Sequence, residues 1–246
     1  MKKISFLFLT ILISACAIDA TKKENFKETK LISSISDKYV GIELNNSYQW
    51  LGIPYAEPPQ GSLRWKAPRE LRSQKEKVKA LKFSDSCPQV PSISLDRFGK
   101  GEYTGSEDCL YLNIFTPKKL SQDKKLPVMF WIHGGGNTSG EAASYDFSKL
   151  ASAHELVIVS INYRLGFLGW FYHPAFAGTS NNPEDKSGNF GTLDQIMALK
   201  WVKENIEDFG GDSNNVTIFG ESAGGHNVFA LLSSPLAKGL FHKAIS

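Results

Sequence analysis

The chain has 246 residues, 41% of them hydrophobic, 12% aromatic and 22% charged, which excludes disorder and collagen-like repetition and suits a folded enzyme-sized domain. Formal net charge is +3, and loss of Lys2 and Lys3 with the N-terminal segment would leave 26 basic against 25 acidic residues, which is no nucleic-acid signature. The five histidines are scattered and the three cysteines lack C-x-x-C spacing, so no metal site is read and no cofactor is called for.

Lys2 and Lys3 precede an apolar stretch from Ile4 to Ala15, the charged and short hydrophobic regions of an export signal. The stretch is too short to span a bilayer comfortably. It ends Leu12-Ile13-Ser14-Ala15-Cys16, which resembles a bacterial lipoprotein processing site. Residues 1–15 are therefore read as a signal peptide, with Cys16 acylated and residues 16–30 forming a polar tether. Ala17 after that cysteine leans, by the same resemblance, toward an outer-membrane lipoprotein facing the periplasm or the cell surface. The alternative is an ordinary secretory peptide that releases a soluble protein.

From residue 31 onward the pattern is that of an α/β domain. Tyr39 to Leu44 and Tyr48 to Gly52 flank the turn-prone Asn45-Asn46-Ser47 and predict an antiparallel hairpin. Leu110 to Phe115, Val128 to Ile132 and Leu156 to Ile161 read as strands, the last two as the continuous apolar runs of a sheet interior. Between Thr192 and Phe209, Ile196, Leu199, Val202, Ile206 and Phe209 step by three or four, which predicts a helix lying on that sheet. Thr192 and Gln195 suggest a capping box, and Gly210-Gly211 a stop.

Two segments carry chemistry. Val128-Met129-Phe130-Trp131-Ile132 runs into His133-Gly134-Gly135-Gly136, a strand followed by a glycine loop able to turn backbone N–H groups toward a substrate oxygen. Farther on, the strand-like Asn215-Val216-Thr217-Ile218-Phe219 leads into Gly220-Glu221-Ser222-Ala223-Gly224 and then a helix-like run from Gly225 to Leu232, the context of a nucleophile elbow. Small residues are needed where a serine is held on so tight a turn, and Gly220, Ala223 and Gly224 supply them. Ser222 is thus the candidate nucleophile, with the amides of Gly135, Gly136 and Ala223 as candidate oxyanion donors.

Further blocks surround these two: Gly52-Ile53-Pro54-Tyr55-Ala56 with Leu63-Arg64-Trp65, Ser106-Glu107-Asp108-Cys109-Leu110-Tyr111-Leu112-Asn113, Asn162-Tyr163-Arg164-Leu165-Gly166 and Gly188-Asn189-Phe190-Gly191 through Leu193-Asp194-Gln195. Together they resemble the type-B carboxylesterase family, from about Val40 to the last residue. The resemblance implies an α/β-hydrolase fold with a mostly parallel central sheet and helices on both faces. It also implies a disulfide between Cys87 and Cys109, a structural role for His133, and ion pairs Arg164–Asp194 and Arg64–Glu107. Closing a loop of about twenty residues would stabilise the fold by roughly 3 kcal/mol, and an oxidising compartment would keep the bond.

Members of that family run to roughly twice this length, with Ser, acid and His in that chain order. Residues 31–246 are therefore read as the N-terminal half of one hydrolase domain, the base and its acidic partner being expected beyond Ser246. The overall reading is an exported serine ester hydrolase that acts on small ester substrates through an acyl-enzyme. The alternatives are a catalytically inactive, esterase-like binding or adhesion protein and a truncated fragment without function.

Overall fold

The computed structural model describes residues 27–29, 31–34, 37–71, 77–90, 103–118, 125–178 and 180–246. Residues 1–15, read as a signal peptide, and Cys16 lie outside the described residues. Eight strands form the main sheet: Lys27–Glu28 (β1), Ile42–Glu43 (β2), Ser47–Pro54 (β3), Tyr111–Pro117 (β4), Leu126–Ile132 (β5), Val157–Ile161 (β6), Gly211–Gly220 (β7) and Lys243–Ile245 (β8). Their spatial order is β1-β2-β3-β4-β6-β5-β7-β8. The first four contacts along it are antiparallel and the last three, β6-β5-β7-β8, are parallel.

The two faces of the sheet are covered separately. Ser148–His154 (α1) packs with Ile42, Leu51, Phe115 and Ile158 on one face. Phe190–Asn205 (α2) and Ala223–Ser233 (α3) cover the other, where Val128, Phe130, Ile132, Val157, Val159 and Ile161 meet Leu199, Val202, Val228 and Leu231. Alternate residues of β5 and β6 thus feed opposite faces, and all five residues of β6 are buried. This is the continuous apolar run of a strand covered on both sides. No described helix is long and apolar enough to cross a membrane.

Three local expectations change. The predicted first strand breaks at Gly41: Lys38–Val40 joins a three-stranded side sheet with Ile32–Ser33 and Lys77–Lys79, and only Ile42–Glu43 makes the hairpin with β3. A Cβ on Gly41 would stand 2.1 Å from the Gln49 carbonyl oxygen, so the neighbouring backbones meet where only glycine fits. Lys27–Glu28, inside the stretch read as tether, pairs with β2 as β1, and Lys27 reaches Glu43 at 3.1 Å.

The capping box is the third. Helix α2 begins at Phe190 with Asn189 before it, so Thr192 already lies inside it, and Gln195 is fully buried rather than reaching back to a cap. Burial of Phe190 under the Arg164 guanidinium, 5.3 Å from its ring, fixes the start instead. At the other end α2 tightens into a 3₁₀ turn over Ile206–Phe209, and Gly210 stops it at φ +85°, as the glycine pair predicts.

Candidate active site

The site sits where the parallel strands end. Ile132 of β5 is the register partner of both Gly220 of β7 and Ile161 of β6, so three consecutive chain segments leave the sheet side by side. They are Glu221-Ser222 from β7, His133-Gly134-Gly135-Gly136 from β5 and Asn162-Tyr163-Arg164 from β6. Carboxyl ends of parallel strands are where open α/β sheets form ligand crevices.

Ser222 joins β7 to α3 with φ +56° and ψ −122°, a backbone conformation that costs a non-glycine residue on the order of 1–3 kcal/mol. Its neighbours leave the chain no other course. A Cβ on Gly220 would lie 2.4 Å from the Gly224 carbonyl carbon, and one on Gly224 would lie 2.1 Å from the Ile132 carbonyl oxygen. The first turn of α3 is thereby pressed against the end of β5. Gly224 N–H donates to the Glu221 carbonyl and His226 N–H to that of Ser222, which closes the turn. Ser222 is exposed, and its hydroxyl has no hydrogen-bond partner among the described residues.

The glycine loop lies against this turn. A Cβ on Gly134 would stand 2.7 Å from a Glu221 carboxylate oxygen and 3.2 Å from the Ser222 Cβ, so the two segments touch. Gly135 and Gly136 take φ +98° and +66° and are exposed, while Ala223 starts α3. None of their three amides donates a hydrogen bond to a protein acceptor among the described residues. They are the donors that the sequence singles out, and α3 adds the positive end of its dipole beside Ser222.

Side chains from distant segments hold the loop. His133 is buried, its Nδ1 lies 2.8 Å from the Gly134 carbonyl oxygen and its ring stacks on Tyr163 at 4.4 Å. Burial lowers its pKa to about 4, partly offset by the Gly134 carbonyl, so the ring is neutral near pH 7. The Tyr163 hydroxyl donates to the His133 carbonyl at 2.6 Å, and burial raises its pKa. Gln89 grips the far end of the loop through both amide atoms, accepting from Gly140 N–H at 2.8 Å and donating to the Gly140 carbonyl at 3.0 Å. Gln89 stands two residues from Cys87, whose disulfide to Cys109 is formed with an S–S distance of 2.01 Å.

Both ion pairs form, in different settings. Arg164 and Asp194 are almost wholly buried and joined by Nε–Oδ2 and Nη2–Oδ1 contacts of 2.8 and 2.7 Å, with the Arg164 amide also donating to Asp194. Arg64 meets Glu107 at 2.7 Å, but its side chain is 42% exposed. No motif pointed to a third pair: Arg69 reaches buried Asp185 at 2.7 Å, where burial is outweighed by Arg69, Ser180 and the Ala67 amide and the carboxyl sits below its ordinary pKa.

Sequence reasoning also passed over Asn137, Asn227 and Gln89. Asn137 directly follows the three glycines and takes φ +57°, a conformation asparagine tolerates better than most residues, and that placement was its only signal. His154 and His226 are exposed, His173 caps a short helix through Nδ1, and His242 Nδ1 accepts from Val216 N–H. None of their side chains is hydrogen-bonded to Ser222 among the described residues. Among the described residues no group of three or more His, Cys, Asp or Glu could hold a metal ion.

Known proteins resemble both the sequence and this geometry. A family model described as the carboxylesterase family matches residues 30–246. The para-nitrobenzyl esterase of Bacillus subtilis is 46% identical over 218 residues, covering 88% of this chain and 43% of that protein. Liver carboxylesterase 1F of Rattus norvegicus is 40% identical over 252 aligned positions, covering 99% of this chain and 43% of the relative. A solved PNB esterase superposes with a TM-score of 0.75 at 44% identity over 87% of this chain and 42% of its own. A Geobacillus stearothermophilus carboxylesterase does so with 0.75 at 38% identity, over 88% and 42%. The chain thus spans less than half the length of each of these relatives.

Proposed function

The chain belongs to the carboxylesterase family, and from that premise we propose that the whole protein hydrolyses small carboxylic esters through an acyl-enzyme on Ser222. One observation carries the reading: an exposed serine hydroxyl on a strained turn stands beside three amides with no protein acceptor. In the first half-reaction Ser222 Oγ attacks the ester carbonyl carbon while its proton passes to a base. The carbonyl oxygen takes the negative charge and accepts from the Gly135, Gly136 and Ala223 amides, each such donor being worth about 3 kcal/mol in the transition state. Collapse breaks the ester C–O bond as the base gives its proton to the departing alcohol; water, deprotonated by the same base, then attacks the acyl carbonyl, and the acid leaves as Ser222 Oγ regains a proton. Glycines 220 and 224 keep the turn tight, and Glu221 lies against Gly134 at the seam between elbow and loop.

The base is assigned to a histidine from sequence beyond Ser246. No histidine side chain is hydrogen-bonded to the Ser222 hydroxyl among the described residues, which supports this, as does the share of the relatives' length that the chain spans. Export and acylation at Cys16 complete the proposal, which places the enzyme on a membrane in the periplasm or at the cell surface. The Cys87–Cys109 disulfide fits an oxidising compartment. The full-length protein mixed with para-nitrophenyl acetate should release a burst of nitrophenol equal to the enzyme present, followed by turnover. Ser222→Ala should release none. A full-length protein that folds and binds esters but shows neither burst nor turnover would instead be a binding protein.

A further inference from the structure

The glycine loop alone does not fix where its amides point. Gly135, Gly136 and Asn137 form three consecutive residues with positive φ, of +98°, +66° and +57°. Glycine permits such a run without enforcing it, and ordering each residue costs roughly 1–2 kcal/mol of backbone entropy. Within the loop, the Thr138 and Ser139 amides both donate to the Gly135 carbonyl. Neither bond reaches the elbow. What reaches across is the side chain of Asn137.

Its Oδ1 accepts from Asn227 Nδ2 at 2.9 Å, and the two amides face each other reciprocally, with Nδ2 of Asn137 3.5 Å from Oδ1 of Asn227. The Tyr163 hydroxyl adds a longer contact to the same Oδ1 at 3.4 Å, and the Asn137 carbonyl accepts from Gly166 N–H at 2.7 Å. Asn227 is only 4% exposed and lies on α3, five residues after Ser222 and four after Ala223. Loss of Asn137 would leave the buried Asn227 amide without this partner, which costs more than the loss of a surface hydrogen bond.

We propose that Asn137 and Asn227 are positioning residues, a strap of paired amides that ties the glycine loop to the elbow helix. The strap sets the Gly135 and Gly136 amides in register with the Ala223 amide. Its two ends are anchored next to the donors it aligns: Asn137 follows Gly136 directly, and Asn227 sits one turn along the helix that Ala223 begins. Neither side chain touches the reacting atoms, and neither titrates, so the effect is independent of pH. The inference rests on the ester-hydrolase reading of Ser222.

The test uses the full-length protein and three variants, Asn227→Ala, Asn137→Gly and the double substitution. Asn137→Gly keeps the positive φ free of strain while removing the amide. All four are assayed with para-nitrophenyl acetate, with active sites counted by exhaustive fluorophosphonate labelling and folding followed by thermal unfolding. Because oxyanion donors act in the transition state rather than on bound substrate, kcat per active site should fall about 10- to 100-fold while KM stays within about threefold. Affinity for a trifluoromethyl ketone, which forms a tetrahedral oxyanion on serine, should fall by the same factor as kcat/KM. The double variant should be no worse than the poorer single one. Unchanged kcat per labelled site in either folded variant, or losses that multiply in the double variant, would overturn the strap while leaving the hydrolase reading intact. A parent protein that neither labels at Ser222 nor hydrolyses ester would overturn both.

Discussion

The elbow and the glycine loop lie in contact, yet they are held by opposite means. The elbow is fixed by what has no room to be there: Gly220 and Gly224 admit no Cβ, and the backbone of Ser222 is forced into a strained turn. The loop is fixed by what reaches it from afar, namely Tyr163 from the end of β6, Asn227 from α3 and Gln89 from the disulfide-closed segment. Steric exclusion restricts the residue type at a few adjacent positions of the elbow, whether the obstacle is the turn itself or the end of β5. Hydrogen-bond support is assembled only when the fold is complete, so the two halves of one site should fail differently.

Gly224→Ala should produce the largest effect. Its methyl group would meet strand backbone at 2.1 Å, which cannot move without breaking β5; we expect a loss above about 4 kcal/mol or no soluble protein, read by urea unfolding and yield. On the loop side, Asp194→Ala leaves the Arg164 guanidinium buried and unpaired beside Tyr163, and should cost about 3–5 kcal/mol. If the alanine at 224 were the milder of the two, the steric account of the elbow would be wrong.

Of these two regions, acid should act on the loop. His133 carries a folded-state pKa of about 4 against an ordinary 6.5, so the unfolded chain binds its proton more readily. Its contribution to stability is complete above pH 6.5 and is lost as pH falls toward and below 4, by about 3 kcal/mol in all. The difference in unfolding free energy between parent and His133→Gln, measured from pH 7 to 4, should shrink by about that amount; a constant difference would show that the ring is not shielded from protons. The smallest change belongs to Glu107→Ala. Its partner Arg64 is well exposed, so the loss should stay below about 1 kcal/mol and diminish further in salt.

The same contrast explains what could be read from the sequence. The elbow was legible as a pentapeptide between a strand and a helix, because sterics confine its residue types to a few adjacent positions. The apolar runs of β5 and β6 were legible because burial on both faces removes polar residues from the whole strand. Gln89, Asn137 and Asn227 were not, since a polar side chain in a loop or on a helix acquires its role only from a partner 90 residues away in the case of Asn137 and Asn227. The Thr192–Gln195 cap failed for a related reason: local capping preference was overridden by burial of Phe190 against Arg164, a contact no window of neighbouring residues contains. Gly41 broke a strand whose pattern looked continuous, because the obstacle, Gln49, belongs to the next strand.

The central claim is that one strained turn presents a reactive hydroxyl to a prepared set of amides. Treating the full-length protein with a fluorophosphonate probe and mapping the adduct by peptide mass spectrometry addresses it most directly. We expect a single adduct on Ser222, formed in proportion to the loss of esterase activity and absent from Ser222→Ala. A folded parent that remains unlabelled at Ser222, or an adduct that persists elsewhere with the activity in the alanine variant, would contradict it.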